Sequence, residues 1–296
     1  MKTCIFLLLS FVLPTHLLSP AIYDKSLVEI STLTVGGDQY GVVKLKRNGN
    51  RVKVKYFASK NATGSVGERY QSWAANKNII TYSSGTYMNS CTASLASPVG
   101  LCIDQGIPVN NNLMLHGLDG LIIVYATGGI VASNLKEANL TITYPDGRKK
   151  TVNIRDNAYD MEEFKSWAKE NEATVFQTHL FVYKDKILVN SNASPKVQER
   201  RFLAVCKMDN GDIVHYMINL PNPTTILTGA QKAFKFLKEH EEVSEVAFMI
   251  NLDTGCQDVF KLYDATGKDY SNPYFRGGDH RIDLNNASNL LAYYYE

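Results

Sequence analysis

Between Glu245 and Tyr263 the sequence reads EVAFMINLDTGCQDVFKLY, and its middle is the stretch best furnished for chemistry. Asn251, Asp253, Thr254, Gly255 and Gln257 crowd between two apolar runs. A carboxylate at the end of a rigid strand can take up a proton or steady a developing positive charge, and a neighbouring glycine lets a ligand approach the backbone. The same residues also suit an ordinary hairpin turn, in which Asp and Gly serve only the main chain. Asp258 offers a second carboxylate, or a solvated residue on a strand face. Gln177 and His179 alternate within TVFQTHLFVY (174–183), which sets both on one face of an otherwise apolar strand. For His179, a satisfied core histidine is as open as a functional one. Ser84-Gly85-Thr86-Tyr87 is a small polar turn that ends in an aromatic.

Regular elements must position these residues. Val246 to Ile250 is a short unbroken apolar run, the pattern of a strand covered on both faces, and Val259, Phe260, Leu262 and Tyr263 resume as a second strand. Upstream, 227–240 reads as a helix with Ala230, Ala233, Phe234 and Leu237 on one face and Lys232, Lys235, Lys238 and Glu239 on the other. Arg201 to Val205 and Ile213 to Leu220 form a hairpin through Asp209-Asn-Gly-Asp212. A second helix spans 157–171, started by Asp160 and striped by Met161, Phe164, Trp167 and Ala168. Residues 65–76 suggest a short helix, and 78–82, 121–125 and 141–144 strands, the last followed by a turn at Pro145-Asp-Gly147. The alternation across 27–57, with Asn48-Gly49 at its centre, predicts a hairpin. Together these give an α+β fold, a single mixed-sheet domain over 22–296 with a few amphipathic helices.

At 296 residues, 45% hydrophobic and 20% charged, the chain can bury a substantial core. Its formal net charge of +2, with no basic block, points to no nucleic-acid partner. Lys2, the apolar stretch from Ile5 to Leu13 and the small residues Ser19 and Ala21 read as a cleaved signal peptide over 1–21, an uncleaved anchor being the alternative. No later stretch is long and apolar enough to span a bilayer, so no transmembrane segment is expected after cleavage, and the mature chain is expected to be secreted or periplasmic. Export favours disulfides among Cys91, Cys102, Cys206 and Cys256, with Cys91–Cys102 and Cys206–Cys256 as the expected pairs. The spacing fits no zinc site, and no metal or cofactor is expected. Asn61, Asn139, Asn192 and Asn286 begin triplets of the glycosylation pattern.

In element order, residues 78–265 resemble the phosphodiester glycosidase family. MINLDTGCQDVF (249–260) is similar to the family's NLDGGGS strand and turn, and Arg200-Arg201-Phe-Leu-Ala-Val205 to its arginine-led strand. TVFQTHLFVY resembles another family strand, and Ser84-Gly85-Thr86-Tyr87 stands in place of an Asn-Gly-aromatic motif. The resemblance implies a secreted hydrolase with a carbohydrate or sugar-phosphate substrate. It implies that Arg201 grips the phosphate, Asp253 supports the oxocarbenium-like transition state or activates water, and His179 orients Asp253. Ser84, Gly85, Tyr87, Gln177, Asn251 and Gly255 would line the substrate. Thr254 and Cys256 break the glycine run, and Ser84 replaces an asparagine. A non-catalytic glycan-binding protein on the same fold is therefore the alternative function. The aromatic end Tyr293-Tyr294-Tyr295 also leaves open an extracellular assembly role.

Overall fold

A computed structural model describes residues 21–58, 64–92, 96–137, 139–144, 146–189, 194–256, 258–275, 284 and 287–296. The leader expected over 1–21 lies, Ala21 excepted, outside the described residues, as do Pro145, Gln257 and the triplet asparagines Asn61, Asn192 and Asn286. In chain order the elements begin β1 (Val28–Val35), β2 (Asp38–Lys46), β3 (Val52–Ala58), α1 (Val66–Ala74) and β4 (Asn78–Ser83). There follow β5 (Cys102–Asp104), β6 (Ile107–Asn110), β7 (Gly120–Val124), β8 (Ile130–Asn134), β9 (Leu140–Thr143), β10 (Lys149–Val152) and α2 (Ala158–Glu170). The chain continues through β11 (Thr174–Thr178), β12 (Leu180–Tyr183), β13 (Lys186–Ile187), β14 (Gln198–Lys207) and β15 (Ile213–Thr224). It ends with α3 (Ile226–Glu239), β16 (Glu245–Leu252), β17 (Phe260–Leu262) and β18 (Asn289–Tyr295).

The fold is α+β, and every strand pairing among the described residues is antiparallel. A seven-stranded sheet runs β1-β2-β15-β14-β16-β12-β13, a five-stranded sheet β6-β5-β11-β7-β8 and a four-stranded sheet β17-β4-β18-β3, with β9 and β10 a separate ribbon. The three large sheets turn one face each into a common core that includes Leu203, Ile250 and Leu252 from the first, Ile122 and Phe176 from the second, and Val54, Leu291 and Tyr293 from the third. Each sheet's other face is closed by one helix. α3 lays Ala230, Ala233, Phe236 and Leu237 on the seven-stranded sheet, α2 lays Phe164 and Trp167 beside Val175 and Ile123, and α1 packs Val66 and Tyr70 against Phe57 and Tyr294. Double coverage explains why Phe202 to Cys206 on β14 are all buried and all apolar.

Local signals set several boundaries. Ser65 and Glu68 form a reciprocal capping box at the start of α1, and Thr225 caps α3. α2 is capped by Asn157, which accepts from the amides of Tyr159 and Asp160, whereas Asp160 accepts from the amide of Asn153. The hairpin expected at Asn48-Gly49 does not form. β2 is flanked by β1 and β15, and β3 pairs with β18, so Gly49 (φ 70°) and Asn50 (φ 55°) turn the chain out of one sheet into another. The hairpin of this region is β1–β2, closed by Gly36 and Gly37, both at positive φ as a two-residue turn requires. The C-terminal tyrosines are core: Tyr293 and Tyr294 are buried in β18, between β3 and β4.

His215 of β15 is fully enclosed, its Nδ1 2.9 Å from the Tyr293 hydroxyl, and burial with help from the Arg47 charge depresses its pKa to about 3. Its unfolded pKa is near 6.5. The folded chain therefore declines a proton that the unfolded chain takes, and the stability tied to the neutral ring is complete above pH 6.5 and drains away as pH falls toward 3. His215→Gln keeps a partner for Tyr293 and binds no proton. Denaturant titrations at pH 7 and pH 4 are expected to show a loss smaller by about 3 kcal/mol in the variant than in the native chain.

Candidate functional site

Of the four passages by which the chain leaves one large sheet for another, three meet. After β4 it crosses from the four-stranded to the five-stranded sheet through a loop that begins Ser84-Gly85-Thr86-Tyr87; between β11 and β12 it crosses at His179 alone; after β16 it crosses through Asp253-Thr-Gly-Cys256 and Asp258 into β17. The Asp253 turn is thus neither a hairpin nor a surface loop. Backbone and side-chain bonds tie the passages together. The Asp253 amide donates to the Gly85 carbonyl at 3.0 Å, the Asn251 amide to the His179 carbonyl at 3.2 Å, the Thr178 hydroxyl to the Asn251 carbonyl at 2.9 Å, and the Thr86 hydroxyl to the Gln177 carbonyl. A Cys91–Cys256 disulfide closes the arrangement across 165 residues of sequence. The expected pairs Cys91–Cys102 and Cys206–Cys256 are therefore incorrect. Cys102 and Cys206 are free thiols buried in separate apolar clusters, where neither can reach a partner.

Asp253 is 7% exposed. Burial raises its pKa to about 6, against the Gly255 amide, which donates to its Oδ1 at 2.8 Å; the Asp258 charge adds to the rise, and Arg201 and Lys196 oppose it. A Cβ on Gly255 would lie 3.0 Å from that same oxygen, a contact tight enough that the carboxylate would have to shift. Tyr87 and Asn251 stand beside it. Asn251 Nδ2 donates to the Tyr87 hydroxyl at 2.5 Å and to the Leu252 carbonyl at 2.8 Å, while its Oδ1 is buried with no partner. The His179 ring meets Tyr87 edge to face at 4.9 Å and stacks on Phe181 at 5.8 Å. Burial lowers the His179 pKa and raises that of Tyr87, so both are neutral at physiological pH. Asp253, Tyr87, Asn251 and His179 thus form one polar group holding a titratable carboxyl and an unmet buried acceptor, which is the kind of group a ligand hydroxyl satisfies.

Arg201 does not join that group through any hydrogen bond. It lies on the inner face of β14, 1% exposed, with Nη1 2.6 Å from Asp258 Oδ1 and Nη2 3.4 Å from Oδ2. Nε donates to Asn219 Oδ1 at 2.9 Å, Nη1 also to the Ser83 hydroxyl at 3.1 Å, and the guanidinium lies over the Phe260 ring at 4.3 Å. The guanidinium expected to face a phosphate is thus committed to a buried ion pair, which also rules out a solvated strand face for Asp258.

Three other expected lining residues hold the scaffold. Gln177 and His179 do not share a strand face, because the strand breaks between them. The Gln177 side chain accepts from the amides of Leu101 and Met114 and donates to the carbonyls of Met114 and Leu118, which leaves no capacity for a sugar hydroxyl. The Ser84 hydroxyl accepts from the Val259 amide at 2.8 Å, bracing the start of β17. Gly85 leaves no space for a side chain, since a Cβ there would lie 2.5 Å from the Tyr56 ring and 2.7 Å from Asn289 Oδ1. Asn289, which the sequence reading passed over, accepts from the amides of Gly85 and Thr86 at 2.9 Å each. Nothing local marks it; only its apolar neighbours Leu290, Leu291 and Ala292 hint that an asparagine there must be buried and bonded.

No protein-family model matches the sequence, and no curated protein matches it. Among solved structures, the catalytic domain of zebrafish N-acetylglucosamine-1-phosphodiester alpha-N-acetylglucosaminidase, auto-inhibited by its pro-peptide, aligns over 94% of this chain and 87% of its own, with a TM-score of 0.50 and 15% identity. The likeness is one of fold. A hypothetical protein from Synechocystis aligns over 91% of this chain and 62% of its own, at 10% identity and a TM-score of 0.47. A candidate exported protein from Burkholderia pseudomallei aligns over 86% and 74%, at 10% identity and a TM-score of 0.46.

The Asp253 carboxyl bears directly on stability. Its folded pKa of about 6 lies above the unfolded value near 3.8, so its contribution is most favourable in acid and falls as pH rises from about 4 to above 6. Asp253→Asn preserves an acceptor for the Gly255 amide without that cost. The variant is expected to be more stable than the native chain at pH 7.5 by up to about 3 kcal/mol, with the gap closing below pH 4, as read by denaturant unfolding at both pH values.

Proposed function

We propose that the protein is an exported glycoside hydrolase acting on sugar phosphodiester or related glycan linkages, with Asp253 as its base. The observation that carries the proposal is a single buried carboxyl at a pKa of about 6, set beside Tyr87, His179 and the unmet oxygen of Asn251. Ordinary glycoside hydrolysis employs two carboxyl groups, one protonating the leaving oxygen and one serving as base or nucleophile. Here the second, Asp258, is bound to Arg201 in the core. With Asp258 committed to Arg201 and Asp119 paired with Lys136, Asp253 is the carboxylate left beside Tyr87 and Asn251, which suits a substrate whose leaving group departs without an acid, and a phosphate at the anomeric carbon is such a group. A carboxylate of raised pKa is a stronger base than ordinary Asp, and it takes the proton of water attacking the anomeric carbon as the phosphate leaves. Asn251 Oδ1 accepts from a sugar hydroxyl, and the Tyr87 ring offers an apolar surface to the sugar. The Cys91–Cys256 bridge supports the export half of the reading, because such bridges persist in oxidising compartments. Residues 22–296 form the proposed hydrolase domain after removal of a leader over 1–21.

A second reading, glycan binding without turnover, is favoured by one feature of the crossover. Thr254 and Cys256 stand where a glycine run would leave backbone amides open, and both are engaged, Thr254 with the Glu199 carbonyl at 2.8 Å and Cys256 with Cys91.

Purified protein is expected to release free sugar from a panel of sugar 1-phosphodiesters, with kcat rising as pH increases through about 6 and falling by 10²–10⁴ in Asp253→Asn. No release from any member of the panel, together with glycan binding that survives Asp253→Ala, would establish the second reading instead.

A further inference from the structure

Arg200 precedes Arg201 and, by strand alternation, points the other way. Its Cγ and the Phe202 ring both lie 3.2 Å from where a Cβ on Gly229 of α3 would sit, so Arg200 and Phe202 share the α3 face of the seven-stranded sheet. A chain of rings links that face to the polar group: Phe202 to Phe181 at 5.6 Å, Phe181 to His179 at 5.8 Å, and His179 to Tyr87 at 4.9 Å. Asn251 sits opposite Phe202 in the β14–β16 register. The Arg200 charge is felt at both the Tyr87 hydroxyl and the His179 ring.

Arg200 is 4% exposed. Its Nε donates to the Thr224 carbonyl at 3.1 Å and its Nη2 to the Lys196 carbonyl at 2.5 Å, which fix the plane of the guanidinium. No ion pair of Arg200 with a carboxylate exists among the described residues, and its Nη1 donates to none of their acceptors. The guanidinium is largely removed from water and its hydrogen-bond partners among the described residues are neutral carbonyls, so a ligand that brings a negative charge is favoured there. The local charges agree. Arg201 is offset by Asp258 and Lys136 by Asp119, whereas Arg200 has no ion pair among the described residues. A cavity of about 350 Å³ is lined by His179 and Phe181, the middle links of that chain of rings, and by Ile226 at the start of α3.

We propose that Arg200, and not Arg201, anchors the anionic group of the ligand, a phosphoryl or sulfuryl oxygen, beside Tyr87 and His179. The proposal rests on the glycan-directed reading of the site and supplies the cation that Arg201 cannot. Phosphoryl and sulfuryl esters share the chemistry a guanidinium recognises, tetrahedral oxygens with delocalised charge.

Binding tests it without turnover. Inorganic phosphate and sulfate, each alone, are titrated into the purified chain by calorimetry and thermal unfolding, with neutral N-acetylglucosamine as the uncharged control. The native chain is expected to bind at least one of the two anions saturably, the preferred one identifying the ester. Arg200→Gln is expected to weaken that binding at least tenfold, Arg200→Lys less, and Asp253→Asn to leave it equal or tighter because a competing negative charge is gone. Equal anion affinity in the native chain, Arg200→Gln and Arg200→Lys would overturn the proposal, as would no saturable binding by the native chain. If Arg200→Gln does not fold, the comparison of the native chain with Arg200→Lys decides. Anion binding that depends on Arg200, with no sugar released from any phosphodiester, would leave the anion site standing while the hydrolase reading falls.

Discussion

The Arg201–Asp258 pair is the constraint on which the rest of the site depends. Both residues are almost wholly removed from water, and the guanidinium also bonds Asn219 of β15 and Ser83 of β4 and lies over Phe260 of β17. The pair therefore joins two strands of the seven-stranded sheet and two of the four-stranded sheet to the end of the Asp253 crossover. Its net contribution to stability is small, because desolvation offsets most of the attraction, but removing one partner would strand the other charge at a cost of about 3–5 kcal/mol. That asymmetry gives the interaction its structural meaning: it accepts one geometry and penalises every other. A crossover with no strand pairing of its own is thus held at its far end by a bond that cannot slide, and at its near end by the Gly85 carbonyl.

Seams between sheets are where a fold can present polar backbone and side chains without a ladder to absorb them. In this chain three of the four passages between large sheets coincide, so the polar residues of each are brought together although they are distant in sequence. Ser84, Gly85, Gln177 and Asn289 serve the backbone of the passages, whereas Asn251 and Asp253 bond the backbone of their own turn and, with Tyr87 and His179, keep polar atoms for one another. The division between the two groups follows from hydrogen-bonding capacity. Gln177 has none left, whereas Asn251 keeps a buried oxygen unmet.

Much of the local structure was legible in the sequence, and the reasons are local. The three helices announced themselves by periodicity, and the β14–β15 hairpin by Asn210-Gly211 between two apolar runs. The identical signal at Asn48-Gly49 misled, because partner choice for β2 and β3 is decided by β15 and β18, far along the chain. The same limit hid the disulfide: Cys91 and Cys256 are brought together by the convergence of two seams, which no spacing rule encodes. His179 was legible as a residue out of place in an apolar run but not as a sheet boundary, since TVFQTHLFVY alternates without a breaker. Alternation also could not say which of Arg200 and Arg201 faces inward. Two like residues at adjacent positions always point to opposite faces, and only the tertiary packing assigns the faces.

Asp253 ties the structural and chemical sides together. A carboxyl enclosed to 7% exposure with one backbone donor is a poor choice for stability, and its pKa of about 6 measures how poorly the site solvates the charge. An isolated turn would relieve that misfit by rotating the side chain toward water. Here rotation is resisted on each side, by the Gly85 carbonyl at the Asp253 amide, by the Gly255 amide at its Oδ1, by Thr254 bonded to the Glu199 carbonyl, and by Cys256 bridged to Cys91. Such convergent restraint around one energetically unfavourable group has no use in a core, where an apolar residue would serve better. The proposed hydrolase activity would give it a use, since a base needs a proton affinity near neutrality at a fixed point, and here the seam provides the fixed point while burial provides the tuning.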